Sequence, residues 1–346
     1  MQKIDYSKIE FYITNVCNFN CDNCNRLNNY YFSGHQKWNE YADVYRQWSE
    51  KINFVKIAIL GGEPTLNPDL KKWVAGLRQL WPNADIDIIT NGSNLKYWHQ
   101  QGLFDLLAKT HTNLQITLHN RDRRDKLIQE VESYLTDPAT IIKPSAFANW
   151  ASSYRNVKDP SWPECKTYDE FCTLPEYIKK ECIKIHKIGL TDFLRDTGII
   201  EITDSRNVKV TITHAEDFVT APLRYAGNNQ FVVYDSNPED AHNVCISKNC
   251  THMIKGKIYK CHHVGLLPEF DKQFNITMTN AQRNLMNQYR PLSVDDDDFT
   301  TKKFFNALPN AIPQCQLCPS ELKTFHLKSD TNKPKIKKKI INIKPI

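Results

Sequence analysis

Four short apolar runs recur in the first third of the chain: IEFYIT (9–14), FVKIAIL (54–60), ADIDIIT (84–90) and NLQITLH (113–119). Each leads through a polar loop into apolar positions spaced three and four apart, in WNEYADVYRQWSEKI, PDLKKWVAGLRQLW, SNLKYWHQQGLFDLLAK and RRDKLIQEVESYL. Period two followed by period 3.6 predicts strand then helix. Pro68 suits a first helical turn, where its missing N–H is not needed. Gaps of roughly 25 to 40 residues suit right-handed βαβ crossovers, so the pattern predicts an α/β fold with a parallel sheet or barrel.

The pattern loosens after this. Residues 136–195 mix Pro, Trp and Cys without a clear period and read as an irregular insertion. IIEITDSRNVKVTIT (199–213) predicts two strands around a turn at Ser205–Asn207, and QFVVYD (230–235) predicts another. From Asn237 onward Cys, His and Lys dominate, which places a boundary near Ala226. The expected organisation is a core over 1–226, a second domain over 227–325 and a tail over 326–346.

With 346 residues and 40% hydrophobic content, the chain can bury a large core. There is no run of about 18 apolar residues, and MQKIDYSKIEFYIT lacks the apolar stretch of a signal peptide, so the expectation is a cytoplasmic protein without a membrane span. Eleven cysteines in a reducing compartment then point to metal or catalytic use rather than disulfides.

The net charge of +6 is local. Leu322–Ile346 holds eight Lys and one Asp, which is +7 and leaves −1 for the rest. Such a run is ordinarily a solvated extension; the alternative is contact with an acidic partner, either nucleic acid or an electron-transfer protein.

The cysteines fall into sets. Cys17, Cys21 and Cys24 form C-x3-C-x2-C directly after the first strand. Three thiolates on one short loop can each reach a different iron of a cubane cluster, whereas tetrahedral zinc needs a fourth ligand from elsewhere, such as His35. In ILGGEPTL (59–66), Gly61 and Gly62 end a buried strand, where glycines permit a sharp turn and close approach of backbone. ITNGSN places Thr90, Asn91 and Gly92 after the third strand, and LQITLHN places His119 and Asn120 after the fourth. All four strands thus end in polar or metal-binding loops on one face, as in ligand-binding barrels. Turn chemistry for Thr90–Gly92 and a hydrogen-bonded His119 are the plainer alternatives.

Cys245, Gly256 and Cys261 fit C-x10-G-x4-C, with KGK as a turn between the two thiols; Cys315 and Cys318 add C-x2-C. Two thiol pairs complete either a zinc site or an Fe–S cluster. Cys250 is a spare thiol that could replace Cys245, and His262 and His263 adjoin Cys261 as either outer donors or exposed histidines. Cys165, Cys172 and Cys182 match no common framework, and the acidic SVDDDDFT lacks Ca-loop spacing.

The triad together with GGEP resembles the radical S-adenosylmethionine (radical SAM) superfamily. That resemblance implies a partial (β/α)6 TIM-like barrel. It also implies a [4Fe-4S] cluster held by Cys17, Cys21 and Cys24, with the fourth iron left to S-adenosylmethionine. Gly61, Gly62 and Glu63 would then bind the amino group of S-adenosylmethionine, and Thr90, Asn91 and His119 its carboxylate or ribose. One-electron reduction would give a 5′-deoxyadenosyl radical that abstracts hydrogen from substrate. The sequence departs from the family at Asn23, where an aromatic residue commonly covers the adenine; Tyr30, Tyr31 and Phe32 are the nearby substitutes.

The second cysteine group resembles the SPASM/twitch extension. It implies an auxiliary [4Fe-4S] cluster on Cys245, Cys261, Cys315 and Cys318, the second of two clusters, assisting electron transfer. Implied partners are a one-electron donor such as flavodoxin or ferredoxin and a peptide, protein or small sugar-like substrate. The competing reading is a zinc- or Fe–S-stabilised interaction module without catalysis.

Overall fold

In the computed structural model, residues 3–143 and 199–326 are described, apart from 22, 216, 228, 229 and 249. Cys165, Cys172, Cys182, nearly all of the irregular insertion and the basic tail from residue 327 lie outside the described residues.

The four predicted runs form β1 (Ile4–Tyr12), β2 (Ile52–Leu60), β3 (Asp85–Thr90) and β4 (Thr112–Leu118). The helical patterns become α1 (Trp38–Lys51), α2 (Leu70–Leu80), α3 (Leu95–Gln100), α4 (Leu103–Thr110) and α5 (Arg124–Glu132). The pattern read as a single helix over SNLKYWHQQGLFDLLAK is thus two helices, separated at Gln101–Gly102.

Next come β5 (Ala139–Lys143), β6 (Ile199–Thr203) and β7 (Lys209–His214). The turn between β6 and β7 is closed by Asp204, whose carboxylate accepts the amides of Arg206 and Val208. Shorter strands follow: β8 (Asp217–Val219), β9 (Arg224–Tyr225) and β10 (Phe231–Val232), so QFVVYD supplies only two strand residues.

The C-terminal part contains α6 (Pro238–Val244), β11 (His252–Ile254), β12 (Lys257–Tyr259), α7 (His262–Phe274), α8 (Asn280–Asn287), α9 (Asp298–Ala307) and β13 (Thr324–His326).

One nine-stranded sheet runs in the order β12-β11-β1-β2-β3-β4-β7-β6-β5. From β11 to β7 every pairing is parallel, while β6, β5 and β12 join antiparallel. This is an α/β fold with a mostly parallel central sheet. The β11–β12 hairpin comes from the segment beyond Ala226, yet it extends the same sheet through the pair Glu10 and His252. Its turn at Lys255–Gly256 has positive φ at both residues (+49° and +75°), the conformation that two-residue hairpins require. That is the KGK turn expected from the sequence.

Alternation along β1 sends residues to two cores. Ile9, Phe11 and Ile13 pack with Tyr45, Trp48 and Trp73 of α1 and α2. Tyr12, on the other face, packs with Leu60, Phe231 and Phe270. The second face is partly polar: Glu10 is only 3% exposed. Among the described residues no helix is long and apolar enough to cross a membrane.

Candidate cofactor site at the strand ends

Backbone packing brings the cysteine loop to the end of β2. The amide of Gly62 donates to Thr14 O (2.8 Å) and that of Glu63 to Val16 O (2.8 Å). A Cβ on Gly61 would lie 2.5 Å from Thr14 O, and one on Gly62 would lie 2.4 Å from Val16 O. Neither position has room for a side chain. The two glycines let the chain leading into Cys17 lie directly on the β2 loop.

Glu63 is fully buried. Its Oε1 accepts the Thr65 amide (3.0 Å) and the hydroxyls of Thr65 and Thr90 (both 2.5 Å), while Oε2 accepts the Asn91 amide (2.7 Å). Burial pushes the carboxyl above its ordinary range; the hydrogen bonds from Asn91, Thr65 and Thr90 oppose this. The carboxylate therefore clamps the β2 loop to the β3 loop.

Asparagines complete the frame. Asn91 Nδ2 donates to Asn18 Oδ1 (3.0 Å), and Asn18 Nδ2 donates to Ser93 Oγ (2.7 Å), tying the cysteine loop to the β3 loop. Asn28 is buried and donates to Asn15 O (2.6 Å) and Tyr12 Oη (3.0 Å), fixing the far end of the cysteine loop on β1. Asn23 takes φ +59°, a left-handed conformation that Asn tolerates better than bulky residues. That conformation gives a local reason for Asn where an aromatic residue was expected.

These loops enclose a cavity of about 320 Å³. Every sequence-predicted residue of the first site lines it: Cys17, Cys21, Cys24, Gly61, Gly62, Glu63, Thr90, Asn91 and His119. His119 Nδ1 lies 3.1 Å from Ala215 O, and burial pushes the imidazole below its ordinary range. Phe19 also lines the cavity, with its ring edge-on to His119 at 6.0 Å. Tyr30 and Phe32, considered above for the adenine, instead lie in the second core against Phe270. His35 is exposed and holds Thr14 Oγ1 at 2.9 Å, outside the cavity lining.

Sequence reasoning missed Asn18, Phe19, Arg26 and Asn28. Asn18 and Phe19 stand inside the cysteine motif, where the spacing marks only the thiols.

The structure also gathers the second cysteine set. Burial pushes Cys261 up to about 12, opposed by the His263 and Val264 amides and reinforced by Cys245 and Cys315. Burial pushes Cys318 well up, and Cys261, Cys315 and Cys245 add to it. Lys260, next to Cys261, is buried and lowered by that burial, although these thiols oppose the shift; its Nζ donates to Leu308 O. A cavity of about 60 Å³ is lined by Cys245, Cys261 and Cys318 with His262 and His263. Asn25, Val219 and Ile246 line both cavities, so the two sites share a wall. None of the eight described cysteines is in a disulfide. Among the described residues, no three His, Cys, Asp or Glu side chains are grouped so as to hold a single metal ion.

Residues 11–137, from β1 past α5, match the family model described as the Radical SAM superfamily. This segment is a radical SAM domain. Its curated relatives include GTP 3′,8-cyclase of Staphylococcus aureus strain JH9, 27% identical over 201 residues, and that of strain bovine RF122, 29% identical over 194 residues. Both matches cover 54% of this chain and 54% of the relative, so the chain spans about half the length of the curated relatives it matches. The relatives are enzymes by name.

Among solved structures, the radical SAM domain and its surroundings are similar to Streptococcus suis SuiB bound to S-adenosylmethionine. Identity is 14%, covering 90% of this chain and 71% of that one, with a TM-score of 0.35. A second similarity, to BtrN in complex with AdoMet and 2-DOIA, has 24% identity over 34% of this chain and 47% of that one, with a TM-score of 0.27.

Proposed function

We propose that the chain is a radical SAM enzyme holding a [4Fe-4S] cluster on Cys17, Cys21 and Cys24 and S-adenosylmethionine beside it. One observation carries this reading: within the radical SAM domain, the three thiols, the GGE turn and the β3 and β4 loop residues converge on one cavity at the strand ends. The fit is chemical as well as positional. The cavity volume lies in the range of small-molecule sites. Three soft thiol donors share the lining with Gly61, Gly62 and the polar side chains of Thr90, Asn91 and His119. Arg26, ion-paired with Glu10, also lines the cavity, and its Nε is buried without a hydrogen-bond partner.

When bound, the cluster and S-adenosylmethionine supply a 5′-deoxyadenosyl radical that takes a hydrogen atom from substrate. The chain's part is placement. Gly61 and Gly62 present backbone to the amino-acid end of S-adenosylmethionine, and Glu63 orders the loop while offering charge to the amine. Thr90, Asn91 and His119 line the opposite wall for the carboxylate or ribose. Burial favours the neutral form of His119, whose Nδ1–H donates to Ala215 O, which leaves Nε2 as an acceptor that adds no charge.

For the second set, the reading is an auxiliary [4Fe-4S] cluster on Cys245, Cys261, Cys315 and Cys318 that assists electron transfer. The cavity there exceeds the roughly 10–15 Å³ one water-sized probe occupies, which supports a group larger than a single ion. The shared wall supports electron exchange through one substrate space. On this reading the sheet is the partial (β/α)6 TIM-like barrel, and the segment beyond Ala226 is its twitch-like extension. The substrate class is a peptide or a small sugar-like molecule. The electron donor is a flavodoxin or ferredoxin, and the setting is cytoplasmic.

The test is anaerobic reconstitution with iron and sulfide quantitation, electron paramagnetic resonance with and without S-adenosylmethionine, and a 5′-deoxyadenosine assay. About eight irons and reductive cleavage are expected, since each cubane holds four. The Cys17/Cys21/Cys24→Ala variant should lose cleavage and keep about four irons. Cleavage that survives in this variant rules out the triad as the site.

A further inference from the structure

Burying an imidazole without a hydrogen-bond partner is costly, and structures rarely do it without a reason. His263 is such a residue. It is 4% exposed, and neither Nδ1 nor Nε2 has a hydrogen-bond partner. It sits in the first turn of α7, two residues after Cys261, and lines the 60 Å³ cavity with Cys245, Cys261 and Cys318. Lys260 and His262 flank Cys261 and are buried as well. Their buried surroundings differ, however: Lys260 Nζ is committed to Leu308 O, and the His262 ring stands edge-on to His252 at 5.4 Å.

We infer that His263 donates an N–H to a sulfur of the group held by Cys245, Cys261, Cys315 and Cys318, and so sets its reduction potential. The inference rests on the auxiliary-cluster reading above. A neutral imidazole has one donor and one acceptor nitrogen, so a single sulfur acceptor in the cavity removes the unmet donor. His263 acts without being a ligand: the four thiolates fill the cluster's iron positions. A hydrogen bond to a cluster sulfur favours the reduced, more negative state and raises the potential. The same contact explains why the first turn of α7 carries a buried polar ring where an apolar one would pack at no electrostatic penalty.

The experiment uses the full chain carrying the Cys17/Cys21/Cys24→Ala background, so that all remaining iron is auxiliary. His263→Phe removes the donor at similar volume, and His263→Gln restores an N–H. Iron per chain and the midpoint potential are read by metal analysis and a redox titration followed by electron paramagnetic resonance. The expected result is full iron and a lower potential in His263→Phe, with His263→Gln close to the background protein. Should His263→Phe fail to assemble iron, assembly in His263→Gln alone still assigns the donor. Loss of iron from both variants makes His263 a ligand and overturns the inference, as does full iron with an unmoved potential in His263→Phe. Absence of iron from the background protein itself removes the auxiliary site, and this inference with it.

Discussion

The Glu63 carboxylate accepts the Thr90 hydroxyl and the Asn91 amide, so one buried side chain joins the loop after β2 to the loop after β3. A residue expected to face ligand is first a fastener of the cavity it lines. The two roles are compatible because a carboxylate has about four acceptor sites, and the described bonds use its oxygens unequally.

Glu63→Ala leaves the Thr90 hydroxyl and the Asn91 amide without their acceptor. The expected loss is about 2–4 kcal/mol in unfolding free energy, measured by denaturant titration, because buried bonds to a charged group are among the stronger ones. A variant as stable as the parent would show that the clamp contributes nothing.

Gly62→Ala places a methyl 2.4 Å from Val16 O and 3.0 Å from Cys17 Cβ. Backbone cannot yield as a flexible side chain does, so the cysteine loop must move. We expect iron on the triad to drop several-fold while far-ultraviolet circular dichroism stays near that of the parent. Unchanged iron would mean that the loop relaxes freely.

Glu10 lies between two cations and an imidazole. His252 Nε2 stands 3.1 Å from its carboxylate, without the alignment of a hydrogen bond, and Arg26 (3.4 Å) and Lys8 (2.8 Å) complete the group. Burial pushes the carboxyl up, but His252, Arg26 and Lys8 outweigh it and hold it well below the usual range. Glu10→Ala removes the buried partner of the partly exposed Lys8 and Arg26 and should destabilise by about 1–3 kcal/mol, only weakly reduced by added salt because Glu10 itself is buried. A small, salt-sensitive effect in urea melts would contradict this.

Asp204 supplies the pH dependence. Its side chain is fully buried, which raises its pKa, yet the Val208 amide, Arg206 and the Thr136 amide lower it below 3.8 overall. A depressed carboxyl contributes stability that is complete above its unfolded value and is lost as pH falls through the folded one. Asp204→Asn should therefore be less stable than the parent at pH 7 by about 1–3 kcal/mol, a gap that narrows below pH 4. Parallel stability curves across that range would count against the assignment.

The strand–helix alternation, the C-x3-C-x2-C loop, the GGE turn and the KGK hairpin are legible in the bare sequence, because they depend on local period and on backbone freedom at particular residues. The nine residues named for the first site from the sequence line one cavity at the strand ends, while Phe19, Arg26 and Asn28, which line it too, were not foreseen. What the sequence could not supply were relations between distant segments. Tyr30 and Phe32 belong to the core because β10 and α7 cover them. His252 joins β1 because the hairpin adds to its edge, and His263 is buried because α7 turns inward from Cys261. Long-range packing decides which polar groups lose water, and no local pattern encodes that loss.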